Sequence, residues 1–181
     1  MNEYRYIALL RGINVGGNSI IKMSYLQMLF ESLGFKDVST YIQSGNVIFL
    51  AEEPDARAVR NLIEEKLEKV LGYKISVFIL TPGSLKKAAA GNPFDPETLD
   101  KIQYCQIMFL SDVPDPARVE ALLLKQGSDY SFVIDGSLLY YAYPLETAGA
   151  RRNINLEKIL GVTGTSRSWK VVNRLIELSS E

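Results

Sequence analysis

The residues with the most chemical potential lie in the first quarter of the chain. Arg11 precedes Gly12-Ile13-Asn14-Val15-Gly16-Gly17-Asn18-Ser19, a glycine-rich run. The backbone N–H groups of such a run can form an anion-binding nest, and an arginine beside it can clamp a carboxylate or phosphate with two parallel hydrogen bonds. The run comes within one residue of the phosphate-cradling GxxxxGK(S/T) loop, but Asn18 stands where the lysine must be. No GxGxxG occurs in the region, so a dinucleotide fingerprint is also absent. The alternative to an anion loop is a tight connection in which the glycines supply positive φ. A second polar group, Gln43-Ser44-Gly45-Asn46, has turn chemistry and amide donors that could share a ligand with the first.

Other chemistry is narrowly bounded. The 181-residue chain has no histidine and a single cysteine, Cys105. Ser-His-Asp triads, Cys-His pairs, imidazole zinc sites and internal disulfides are therefore excluded. Neither a cofactor nor a metal ligand set is expected, and whether the chain is an enzyme stays open. Ser19…Lys22 and Ser84…Lys87 have the Ser-x-x-Lys spacing, yet neither SDN nor KTG accompanies them; Ser84 reads as a helix cap. Asp95, Glu97 and Asp100 match no calcium loop and read as a solvated connection. Cys105, in an apolar stretch, reads as a buried inert thiol.

Charge is nearly balanced, with 20 basic and 21 acidic residues. Residues 145–181 hold six of the basic ones (Arg151, Arg152, Lys158, Arg167, Lys170 and Arg174) against four acidic, far weaker than the stripe of a strong nucleic-acid binder. With Trp169 they keep weak nucleic-acid binding open as an alternative. No apolar run reaches the roughly 20 residues of a membrane helix, and the start has no signal-peptide pattern. The expectation is a cytoplasmic chain with no membrane partner.

The elements that must position these groups follow from pattern. Tyr4–Leu10 reads as a strand bounded by Arg11-Gly12. Leu26, Leu29, Phe30 and Leu33 recur on one helical face, with Ser24 and Gln27 at capping-box spacing and Gly34 as a stop. Val38–Gln43 and Asn46–Leu50 form a hairpin around Ser44-Gly45. A helix from Glu53-Pro54 to Gly72 and a strand over Ile75–Leu80 complete βαββαβ. Beyond a short helix near Ser84–Ala90 and a turn at Asn92-Pro93-Phe94, the order partly recurs. Ile102–Leu110 is a strand, Asp115-Pro116 opens a helix, Asp135-Gly136 joins two strands and a short helix ends at Gly161. A final helix, about 168–179, buries Trp169, Val172, Leu175 and Ile176. In a split βαβ arrangement the end of the first strand and the first hairpin turn share a rim, which brings Arg11 and the glycine loop near Gln43, Ser44 and Asn46. RNA-recognition domains share this order, but aligning their third-strand frame on Gly45 puts Asn46 and Ile48 at the stacking positions, and neither is aromatic.

Ile7-Ala8-Leu9-Leu10-Arg11-Gly12-Ile13-Asn14-Val15-Gly16-Gly17 and Tyr41-Ile42-Gln43-Ser44-Gly45-Asn46-Val47-Ile48-Phe49 are long, specific strings. With Asn92-Pro93-Phe94, Leu160-Gly161-Val162 and Thr165-Ser166-Arg167-Ser168-Trp169, the chain resembles the bacterial domain-of-unknown-function family 1697 over nearly its whole length. The resemblance implies a ferredoxin-like first half and a second α+β half, and no particular reaction. Members usually carry lysine after the double glycine, where this chain has Asn18, and Arg-Asn-Trp where it has Arg167-Ser168-Trp169.

The reading is therefore α+β: a ferredoxin-like βαββαβ half over residues 1–80 and a βαββα-type half over 81–181 with a docked C-terminal helix. The expected function is binding of a small anionic ligand, phosphate or carboxylate, by Arg11, Asn14, Gly16, Gly17, Gln43, Ser44 and Asn46. A non-catalytic protein-interaction scaffold is the other alternative.

Overall fold

The computed structural model describes residues 2–14, 21–94, 103–127, 130–144 and 154–180. The chain divides into two compact units, Met1–Lys86 with Arg174–Glu181, and Lys87–Asn173. In the first unit the elements are β1 (Tyr4–Leu10), α1 (Met23–Glu31), β2 (Lys36–Tyr41), β3 (Asn46–Ala51), α2 (Ala56–Leu71) and β4 (Val77–Leu80). α3 (Pro82–Ala90) follows, and then β5 (Gln103–Leu110), α4 (Pro116–Leu123), β6 (Ser131–Asp135), β7 (Leu138–Pro144), α5 (Leu156–Leu160), β8 (Gly164–Ser168) and α6 (Trp169–Leu178).

The first sheet has the order β2-β3-β1-β4, every neighbour antiparallel. β1 and β2 therefore run parallel with β3 between them, as a split βαβ requires. Its helix-covered face buries Tyr6, Ala8 and Leu10 of β1 with Val47 and Phe49 of β3, against Leu26 and Phe30 of α1 and Val59, Ile63 and Leu67 of α2. Strict alternation along β1 puts Ile7 and Leu9 on the opposite face, and both are also buried. α2 starts where the Asp55 carboxylate accepts from Arg57 N at 2.8 Å and stops at Gly72, whose φ is 80°. At α1 the expected capping box is not formed. Lys22 occupies the N-cap position without a side-chain cap, and Gln27 donates to Glu31 one turn on instead. β2 carries an irregularity between Lys36 and Ser39, where Asp37 adopts φ 48° and pairs with Arg5 at 2.8 Å. That bulge and the charged Lys36 blunt an edge strand that would otherwise invite pairing.

The second sheet repeats this plan. Its order is β6-β7-β5-β8, so β5 takes the place of β1 and β8 that of β4. The hydrogen bonds recur too: Leu10 N donates to Gly45 O and Arg11 N to Ser76 O, while Leu110 N donates to Ser137 O and Ser111 N to Thr163 O. β8 extends the expected βαββα to a full βαββαβ. The segment Gly-Thr-Ser-Arg-Ser contains no apolar residue, yet Thr165 and Arg167 in it are buried. α5 ends at Gly161 (φ 72°), where a Cβ would lie 2.8 Å from the Arg118 guanidinium carbon. Arg118 donates to the carbonyls of Lys158 and Ile159 there, a cation placed at the negative end of the helix.

Trp169, the first residue of α6, is partly buried against Cys105, Ala142 and Phe94, and Val172 and Leu175 are fully buried. Among the described residues no helix is long and apolar enough to cross a membrane.

Candidate functional site

The rim at the end of β1 is built by backbone and amide hydrogen bonds. Asn14 takes a left-handed φ of 58°, a conformation its short amide tolerates better than most side chains. Its Nδ2 donates to Ile21 O and to Gln43 O, each at 3.0 Å, and its Oδ1 accepts from Ile21 N at 2.7 Å. One side chain therefore pins the two ends of the connection after β1 together and ties them to the β2–β3 turn. Both amide hydrogens are consumed in doing so, which makes Asn14 a positioning residue. Gly16 and Gly17, expected at the same site, lie outside the described residues.

The turn itself is held by Asn46. Fully buried, it donates from Nδ2 to Tyr41 O at 3.0 Å and to Ser44 Oγ at 2.9 Å. Asn46 was expected to touch a ligand, but its donors are spent on the turn. Gly45 adopts φ 74°, and a Cβ there would land on Ile13 Cγ2 and 2.9 Å from Leu10 Cβ. Gly12, at φ 68°, has nothing within 4 Å of its would-be Cβ, so only its backbone conformation favours glycine. Arg11 and Gln43 are exposed, and among the described residues the Gln43 side-chain amide has no hydrogen-bond partner. Ile42 was not anticipated. A β-branched residue at φ 48° and 47 % exposed is a rare combination, and nothing in an isoleucine's identity announces it.

The rim thus presents a guanidinium, a neutral amide and the exposed backbone of Gly12. Arg11–Asn14 and Ile42–Asn46 include no carboxylate, histidine or cysteine, so these residues can bind and orient an anion but offer no proton acceptor near neutrality.

The other candidates resolve as packing and capping. Ser84 Oγ accepts from Thr81 N at 2.9 Å while Thr81 Oγ1 accepts from Ser84 N at 3.1 Å, a reciprocal cap for α3. Cys105 is buried, with Asn92 Nδ2 3.5 Å from its Sγ. Asp95, Glu97, Asp100, Ser19, Arg151 and Arg152 lie outside the described residues, and among the described ones no group of three His, Cys, Asp or Glu could hold a metal. Two of the basic C-terminal residues, Arg167 and Arg174, are engaged within the fold. Arg167 is 6 % exposed and donates to Thr165 Oγ1 and Ser166 O, each at 2.8 Å; burial pulls its pKa down to about 10, which still leaves it charged at neutral pH. Arg174 pairs with Glu177 at 2.7 Å.

Residues 3–140 match the profile of DUF1697, described as a protein of unknown function. The chain belongs to the DUF1697 family. That match spans the whole rim of the first unit and reaches β7 of the second. Among solved structures, a conserved bacterial protein, SP0830 from Streptococcus pneumoniae, is similar at 21 % identity with a TM-score of 0.71. It covers 98 % of this chain and 99 % of its own, so the likeness extends beyond the DUF1697 match to the C-terminal elements and concerns the fold. No curated protein matches.

On β7, Tyr141 points into the helix-covered core of the second sheet. Its hydroxyl lies 3.1 Å from both Gln106 Oε1 and Ser166 Oγ, and burial pushes its pKa up to about 12. Raised above the unfolded value of 10, this group keeps its proton in the fold when the unfolded chain has lost it. Stability is fully present below pH 10 and is expected to fall by order 2 kcal/mol as the pH rises to about 12. Urea titrations from pH 8 to 12 check this: Tyr141→Phe should start lower and lose less over that range. An identical alkaline slope in the variant rejects the assignment.

Proposed function

We propose that the first-unit rim binds a small anionic ligand, a phosphate or a carboxylate, in a cytoplasmic protein whose one cysteine is buried. The observation that carries the reading is the Asn14 clamp. By donating to Ile21 O and Gln43 O at 3.0 Å, Asn14 holds the Arg11 loop against the β2–β3 turn before any ligand arrives. An arrangement fixed in advance loses less conformational freedom on binding. Arg11 supplies the charge and a planar fork suited to two oxygen atoms, and the Gln43 amide adds a neutral donor. Binding without catalysis is what this residue set supports.

Thermal shift with panels of phosphorylated and carboxylated metabolites tests it. A ligand held at about 100 times its Kd should stabilise the wild type by about 2.7 kcal/mol. Arg11→Ala, compared with its own ligand-free Tm, should lose most of the ligand-induced shift. Hits that stabilise Arg11→Ala as much as wild type would remove the proposal.

A further inference from the structure

The third strand of the first sheet has no aromatic residue at Asn46 or Ile48, whereas the second sheet carries a row of tyrosines. Tyr104 on β5 sits directly opposite Tyr143 on β7, and their rings stack with centroids 5.4 Å apart. Tyr130 continues the row at 6.0 Å from Tyr143, and Tyr141 lies 6.3 Å from Tyr143 on the adjacent pair. The row crosses the central strands at one end of the sheet and finishes at Tyr104, which is 38 % exposed.

A polar group stands next to it. Gln106 is two residues along β5 from Tyr104, hence on the same face and about 7 Å away. Its Oε1 is taken by the Tyr141 hydroxyl at 3.1 Å, so the amide is oriented with Nε2 as its remaining donor. Among the described residues that Nε2 has no partner, and neither has the Tyr104 hydroxyl. Gln106 also pairs across the strands with Ser168. A cross-strand tyrosine pair alone would be ordinary sheet packing. A ring row that ends in a half-exposed tyrosine, beside a half-buried amide already oriented by its neighbour, suits a ligand that is flat and carries an acceptor at its edge.

We infer that Tyr104 and Gln106 form a second binding site, for a nucleobase with a carbonyl edge. The base stacks on Tyr104 as the next ring of the row, and its carbonyl accepts from Gln106 Nε2. Sequence tolerance is built in, because any base has a face and the single donor reads only a carbonyl.

Saturation-transfer NMR with uridine tests this inference separately from the rim proposal, since uridine carries no anionic group. Wild type, Tyr104→Phe and Arg11→Ala should all transfer saturation to the uracil protons and titrate alike. Tyr104→Leu should weaken binding roughly tenfold or more, the scale of losing one stacking partner. Methyl glucoside, which also stacks on tyrosine but lacks the carbonyl edge, should give no comparable effect. An oligouridylate arm separates the two sources of the base: tighter binding than uridine marks a nucleic-acid strand, equal binding a free nucleoside. No transfer from wild type at millimolar uridine, equal affinity in Tyr104→Leu, or equal binding of the glucoside overturns the inference.

Discussion

Phe49→Ala is expected to cost the first unit about 4–5 kcal/mol, near the top of the range for large core truncations. Phe49 is fully buried and is the hub of an aromatic cluster, with ring centroids 4.6 Å from Phe35, 5.3 Å from Phe30 and 5.9 Å from Tyr6. Phe30 and Phe35 come from α1 and the start of the chain's return into β2, so the ring joins the helix to the sheet. Truncation removes the transfer free energy of a phenyl group, leaves a void lined by three rings, and forfeits edge-to-face and tilted pairings worth about 0.5–1.5 kcal/mol each. Phe49→Leu keeps most of the volume and should lose no more than about half as much. Urea denaturation monitored by near-UV circular dichroism separates the two variants. Equal midpoints for Phe49→Ala and wild type would show that the cluster contributes nothing.

Gly45→Ala is expected to lower stability by about 2–5 kcal/mol, an unusual penalty for adding one methyl group to a turn. Two independent costs add. The left-handed φ of 74° costs an L-residue about 1–2 kcal/mol. The methyl must also displace Ile13 Cγ2 and Leu10 Cβ, and Leu10 cannot move freely because its N donates to Gly45 O at 2.8 Å. Gly12→Ala, with similar φ and open space, is the internal control and should show only the conformational part. Differential scanning calorimetry of both variants measures the difference directly. If the two lose the same amount, the crowding argument is wrong. If Gly45→Ala also abolishes anion-induced stabilisation, the turn is part of the site as well as of the fold.

Much of the architecture was readable because its signals are local. Tyr4–Leu10 is an apolar run closed by Arg11-Gly12; Asp115-Pro116 and Asp135-Gly136 mark a cap and a turn by residue type alone. β8 carried no such signal. Gly-Thr-Ser-Arg-Ser becomes a strand because β5 offers it an open edge, a tertiary cause that no alternation records. The rim was legible as a meeting of segments and less so as a set of donors. Asn14 and Asn46 look like ligand contacts in a list of polar residues. Only the fold reveals that their amides are spent on acceptors within the protein up to 29 residues away. The Tyr104 row escaped notice for a related reason: Tyr104 and Tyr130 sit 39 and 13 positions from Tyr143, and the three converge only through the pairing of β5, β6 and β7.

The make-up of the first unit also bears on how the protein is made. Its sheet and two helices lie within Met1–Lys86, but Arg174–Glu181 belongs to it as well, and Leu175 in that segment is completely buried. A ribosome adding roughly 5–20 residues per second leaves the early-made portion waiting for on the order of 5–20 s before this segment emerges. Throughout that interval the segment that completes this unit is absent from the nascent chain, while the intervening unit, continuous in sequence, can close without delay. The order of synthesis therefore makes the unit begun first the one finished last.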